Sequence, residues 1–279
     1  MRGVFSIFKL QTYCEQAAMQ VVKNTILWYN CIIEITKREV SGNAVAIYMV
    51  DKIRQSSDKI LELASLLSRS KKPVKVYPVP ILLEVNSLLA SYTIPGMRVE
   101  GTTYDVPTFS ALKGAMESIY KHPGAEMIPT AVFIHNPIKK ERILLRNEKH
   151  FGGMRSRECL TNVRYTIVAY LVETDDMRNP NGLTWHFKDF LQYAKNGCGR
   201  EFPYLGTMEA PMYFHPITEM EIKPTQPITR DLGFMPLTPD YTKKYDPDLV
   251  CRHLTIENGV IEYTKGDWFR CYESSVSAG

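Results

Sequence analysis

Residues 7–69 carry no proline and a single glycine, Gly42, and their apolar positions recur with mixed helical spacing over about 10–39 and 43–69. In the second stretch, SDKILELASLLSRS places Ile60, Leu63, Leu66 and Leu67 on one face of a helix. The break at VSGNA, around Gly42, makes the two stretches a helical hairpin. RSKKPVK (69–75) follows, basic and proline-bearing, and reads as a linker. The pattern therefore predicts a boundary near residue 75, with a helical extension over 1–75 and a second domain over 76–279.

Beyond that boundary the texture changes. PILLEVNSLLASY (80–92) is apolar and strand-like, although its leucines also suit a helix. TAVFIHNPIKKERILLRN (130–147) and NVRYTIVAYLVET (162–174) are rich in β-branched and aromatic residues with partial alternation. TWHFKDFLQYAKN (184–196) reads as a helix ending at Gly197, and LTIENGVIEY (254–263) as a hairpin turning at Asn258-Gly259. A helix is also predicted over 108–121, where Phe109, Leu112, Met116 and Ile119 form an apolar stripe and Pro123 marks the stop. Pro107 suits its first turn, where a missing N–H needs no partner. Gly114 sits in the middle of this helix at a cost of about 1 kcal/mol relative to alanine, which predicts a close approach to its backbone. The order strand, helix, strand, strand, helix, with late hairpins, predicts an α+β sandwich of ferredoxin-like, RRM-like type with an antiparallel sheet. That architecture hosts many functions and decides none of them.

Composition changes this picture only locally. The net charge is +4, too small to announce a nucleic-acid binder. Residues 1–75 hold twelve Lys and Arg against six Asp and Glu, so any RNA groove further along must come from local clustering. The six cysteines are scattered with no C-x-x-C pair, which points to neither a zinc site nor a disulfide framework but to reduced thiols in the cytoplasm. The opening MRGVFSIFKL is too short in apolar core for a signal peptide, and TILWYNCII (25–33) falls well short of a membrane span. Nothing in the chain calls for a cofactor or a metal.

Three clusters carry candidate chemistry. The helix exit at Tyr120-Lys121-His122 is one. In LLRNEKHFGGMRSRECLTNVRY (144–165), Arg146, Lys149, Arg155, Arg157 and Arg164 surround Gly152-Gly153, with Arg142 just before. Backbone N–H groups and cations in such a loop suit a phosphate chain, although a solvated basic loop would read the same. The third is NGLTWHFKDFLQYAKNGCGREFPYLGT (181–207), where Trp185, His186 and Lys188 lead to a glycine-bearing turn with Arg200. Taken alone, His186 also suits a histidine satisfied in a packing contact, and Tyr120 a tyrosine packed at a helix end.

ASYTIPGMRVEGTTYDVPTFSALKGAMESIYKHP (90–123) resembles the opening of the fifth CRISPR-associated (Cas) family in its type I-C form. The likeness runs on through NPIKKERILLRNE, LTNVRYTIVAYL, REFPYLGTMEA, LGFM and IENGVIEYTKGDW, over about residues 76–279. It implies a subunit of Cascade, the type I CRISPR surveillance complex, which binds the 5′ handle of the guide RNA. The implied partners are CRISPR RNA, the Cascade backbone and large subunits and, through the complex, target DNA. No membrane is implied. Type I-C members also cut precursor RNA without a metal ion, which makes a metal-independent endoribonuclease one expectation. The resemblance assigns catalysis to Tyr120 and His186. The candidate RNA-binding residues are Arg98, Lys113, Lys121, Arg146, Arg155, Arg157, Lys195 and Arg200. The family pairs the histidine with a preceding lysine, but Trp185 stands in that position, and Lys188, two residues beyond His186 on a helix, points away. An architectural subunit that cuts nothing is the alternative, as is a mobile-element decoy that enters Cascade and inhibits it. The N-terminal 75 residues lie outside the family pattern. They suit a mimic of the helical small subunit, a docking element, or an accessory without an RNA role.

Overall fold

The computed structural model describes residues 57–67, 72–95, 97, 101–146, 154–177, 182–240 and 248–271. The chain divides into two compact units, Met1–Val45 and Ala46–Gly279, and every described residue belongs to the second. Of the hairpin expected over 10–39 and 43–69, the first stretch and residues 43–56 lie outside the described residues. Helix α1 (Ser57–Leu67) is part of the second unit, and its Ile60 and Leu63 are fully buried in the same core as the sheet. The boundary read near residue 75 thus falls inside this unit. The supposed linker contributes strand β1 (Pro73–Val76), paired with the end of the longest strand. Proline content marked a change of texture there, not the edge of the core.

That longest strand, β5 (Met154–Thr174), is the spine of the sheet. One edge pairs with β1 and β2 (Ile81–Ala90), the other with β3 (Ala125–Ile134) and β4 (Lys140–Arg146). Ile167 through Val172 are all buried, as is nearly all of β3, so these strands read as continuous apolar runs rather than alternating ones. Strand β6 (Tyr213–Pro216) adds antiparallel to β2, giving the local order β6-β2-β5-β3. With α2 (Phe109–Ile119) between β2 and β3, and α3 (Gly182–Lys195) between β5 and β6, the chain order is βαββαβ. This is the antiparallel ferredoxin-like arrangement expected from the order of elements. The sheet continues beyond β3 through β9 (Val260–Glu262) and β8 (Asp248–Glu257). Strands β7 (Arg230–Asp240) and β10 (Trp268–Cys271) pair with β8. The β8–β9 hairpin turns at Asn258 and Gly259, with φ of 50° and 76°, the left-handed pair that a two-residue turn needs.

Helix α2 starts where its sequence suggests. Thr108 caps it by accepting from the Ala111 N–H, and Phe109, Leu112, Met116 and Ile119 are buried. Pro107 lies just before the cap rather than in the first turn, and its carbonyl accepts from the Tyr263 hydroxyl at 2.7 Å. The expectation for Gly114 is corrected. A Cβ there would meet nothing within 4 Å, because Gly114 lies in the wall of an open cleft of about 390 Å³.

Candidate functional site

Two helix ends build the site. Tyr120 leaves α2 in an extended conformation (φ −148°, ψ 125°), and His122 then bridges to Ala125 at the start of β3. The turn between them is fixed at Gly124 (φ +87°), where a Cβ would lie 2.4 Å from the Met177 Cα. After α3, the loop returns to satisfy the last carbonyls of α2. Arg200 N–H donates to Ile119 O at 3.1 Å and Glu201 N–H to Ser118 O at 2.9 Å. Gly199 permits that approach, since a Cβ would sit 2.8 Å from Glu201 O and 3.2 Å from Ser118 O.

Helix α3 turns His186, Phe190 and Tyr193 toward Tyr120, one residue per turn of the same face. The Tyr120 hydroxyl lies 2.7 Å from His186 Nδ1, so the two residues assigned to catalysis meet. Both are buried: Tyr120 is 7% exposed and His186 0%. Burial, followed by the Asp189 carboxylate and Tyr193, pushes the Tyr120 phenol well above its ordinary value. Burial first, then the neighbouring His122, pulls the His186 imidazole down, against a smaller opposing pull from Asp189. At neutral pH the phenol keeps its proton and His186 is uncharged. His186 Nε2 is buried and has no hydrogen-bond partner among the described residues.

Above this pair stand two more rings. His122 meets His186 with ring centres 4.6 Å apart, and Trp185 meets His186 at 5.0 Å and His122 at 6.2 Å. Trp185 is exposed and His122 half-buried. His122 was legible as a member of the helix-exit cluster, but it was not assigned a role. Asp189, Phe190 and Tyr193 were missed, although their spacing from His186 along a helix is a usable signal.

Several of the cations expected on RNA are paired with carboxylates. Lys113 is held by Glu117 at 3.0 Å and Glu126 at 3.4 Å, and Lys121 by Glu117 at 2.7 Å. Lys195 is exposed in the last turn of α3. Arg200 lines the cleft beside Gly114 with Thr93, Ser110 and Tyr204, and pairs with its neighbour Glu201. Arg157 lies on β5 and faces Glu209 at 3.8 Å. Arg146 and Arg155 are register neighbours at the tip of the β4–β5 hairpin, opposite Met154 and Leu145, while Arg98 and Gly152-Gly153 lie outside the described residues. Arg164, from the same basic stretch, is drawn to Glu84 (1% exposed), which Lys223 also contacts at 3.1 Å. Lys188 is exposed and away from the ring cluster, as its helical offset implies. Among the described residues, no group of three His, Cys, Asp or Glu side chains is placed to hold a metal ion, and no helix is long and apolar enough to cross a membrane.

The chain is 33% identical over 137 residues to the CRISPR pre-crRNA endoribonuclease Cas5d of Thermus thermophilus, covering 46% of this chain and 59% of that protein. It is 28% identical over 204 residues to the protein of the same name in Mannheimia succiniciproducens, covering 62% and 89%. Two crystal structures share the fold. A functionally uncharacterized protein from Streptococcus mutans superposes with a TM-score of 0.54 at 22% identity, covering 66% of this chain and 92% of its own. A CRISPR-associated protein superposes with a TM-score of 0.55 at 24% identity, covering 67% and 93%. The family described as CRISPR-associated protein (Cas_Cas5) matches residues 81–267, a span that takes in the whole βαββαβ core, the Tyr120–His186 pair and the C-terminal hairpin. The chain belongs to that family.

Proposed function

We propose that this protein binds precursor CRISPR RNA as a subunit of a type I Cascade complex and cuts it slowly, without a metal ion, at the corner formed by Tyr120, His122, Trp185 and His186. The observation that carries the reading is the 2.7 Å contact between Tyr120 and His186, residues 66 apart in sequence that the family resemblance assigns to one reaction. Both named relatives are described as pre-crRNA endoribonucleases, which supports the same substrate class here.

Cleavage without a metal uses the ribose 2′-hydroxyl as nucleophile on the adjacent phosphorus. It needs an acceptor for that proton, a proton for the departing 5′-oxygen, and positive charge near the phosphorane. The last requirement is poorly met. Trp185 occupies the position of the family lysine, and Lys113 and Lys121 are tied to carboxylates. Losing one group that stabilises transition-state charge costs about 2.7–4 kcal/mol, a factor of about 10²–10³ in rate. Slow cutting follows. Trp185 together with the burial of Tyr120 and His186 also favours a second reading, a subunit that holds RNA and cuts nothing. A labelled repeat hairpin incubated with the protein in EDTA separates the two: slow cutting that Tyr120→Phe and His186→Ala diminish supports the first, and tight binding with no product supports the second.

A further inference from the structure

The pair assigned to catalysis is sealed. His186 is fully buried and Tyr120 nearly so, and the phenol holds its proton, so neither offers a free base to an RNA sugar. His122 differs on each count. It is half-buried, its ring centre lies 4.6 Å from that of His186, and it sits on a turn shaped by Gly124 and by the bridge to Ala125. Its Nδ1 is 2.9 Å from the Pro123 carbonyl oxygen. A carbonyl only accepts, so Nδ1 carries the proton, and Nε2 of the neutral ring keeps a lone pair. Trp185 lies beside it, exposed, with ring centres 6.2 Å apart, and brings an uncharged ring to this corner. The titratable groups packed around this corner include His186, Asp189 and Tyr193 from α3, and Tyr120 and Lys121 on its own segment. The Lys121 ammonium is drawn off to Glu117.

We propose that His122 Nε2 is the acceptor for the proton of the attacking 2′-hydroxyl, held in place by the buried Tyr120–His186 pair, which acts as a positioning unit. This inference rests on the cleavage reading above. As the 2′-oxygen bonds to phosphorus, Nε2 takes its proton. The bond from phosphorus to the 5′-oxygen then breaks, leaving a 2′,3′-cyclic phosphate, and the 5′-oxygen takes a proton from water. The imidazolium returns its proton to the hydroxide so formed, and no electrons change hands.

The test uses the full chain, a labelled type I-C repeat RNA and EDTA, with His122→Ala and His122→Gln beside wild type, Tyr120→Phe and His186→Ala. A positioned general base contributes about 10²–10⁴ in rate, so both His122 variants should cut at least about 100-fold more slowly. Their affinity for the repeat with a 2′-deoxy sugar at the cleavage point should be unchanged. Added imidazole should restore cutting to His122→Ala, the readout that a merely structural histidine would not give. Cutting by His122→Gln at the wild-type rate overturns the assignment. So does a fall in cutting that only mirrors lost affinity, or an absence of rescue. If Tyr120→Phe and His186→Ala abolish cutting while the His122 variants do not, this inference alone falls. If wild type releases no cyclic-phosphate product, both it and the cleavage reading fall.

Discussion

The Tyr120 hydroxyl and His186 Nδ1, 2.7 Å apart, join the exit of α2 to the second turn of α3 beneath half-buried His122 and exposed Trp185. The contact is internal, so it bears on folding. Its surroundings are aromatic: Phe190 meets the Tyr120 ring edge-on at 6.4 Å, and Tyr193 lies at 5.9 Å.

One consequence is a pH dependence of stability. A free histidine titrates near 6.5, and burial holds His186 below that value in the folded protein. His135 is lowered as well, by burial first, with Arg164 adding to it and the Pro224 carbonyl and Glu84 opposing. The unfolded chain therefore binds more protons than the folded one just below pH 6.5. Stability from these groups is full above that pH and is lost as pH falls through the unfolded value toward the folded ones. Urea unfolding midpoints should drop between pH 7 and pH 5, and His186→Gln should flatten part of that slope. A slope that His186→Gln leaves unchanged would mean that other groups carry it.

Gly114 gives a second expectation. Nothing occupies the space a methyl group would take, and its φ is not in the left-handed region. Gly114→Ala should stabilise the protein by up to about 1 kcal/mol, read from denaturant melts. A destabilised variant would show that the cleft wall at α2 is tighter than its open space indicates.

The helices and the turn were legible because each rests on local rules. The α2 stripe, the helix ending at Gly197 and the Asn258-Gly259 turn follow from spacing and from the left-handed preference of two residues. Strands β1, β6, β7 and β10 were not legible. β1 and β6 are four-residue edges containing proline, and β7 carries Gly233, Pro236 and Pro239 with two register shifts, so none shows clean alternation. The membership of α1 in the sheet's core was hidden for a different reason, since its apolar face reads the same whether it packs on a neighbouring helix or on a sheet. Periodicity also could not bring Tyr120 to His186; only the family resemblance did. Gly114 misled because a helical glycine was taken to mean contact, whereas it borders open space.

RNA binding should be salt-dependent, and the expected cations can be tested in pairs. Arg157 and Arg200 flank the 201–210 loop, and their pairing with exposed Glu209 and Glu201 is of the weak surface kind, easily exchanged for phosphate. Replacing both by alanine should weaken binding to a repeat RNA. It should also shallow the plot of log affinity against log salt by about 1.4, at about 0.7 per single-strand phosphate contact. Unchanged affinity and slope would place the RNA on another surface.

The central claim is slow, metal-independent cutting at the Tyr120–His186 corner, limited by the missing lysine. The direct measurement is single-turnover cleavage of a labelled type I-C repeat hairpin in EDTA by wild type, Tyr120→Phe, His186→Ala and Trp185→Lys. The expected result is weak wild-type cleavage, reduced in the first two variants and raised toward the factor of about 10²–10³ in Trp185→Lys. Rapid wild-type cleavage that survives both Tyr120→Phe and His186→Ala would contradict it.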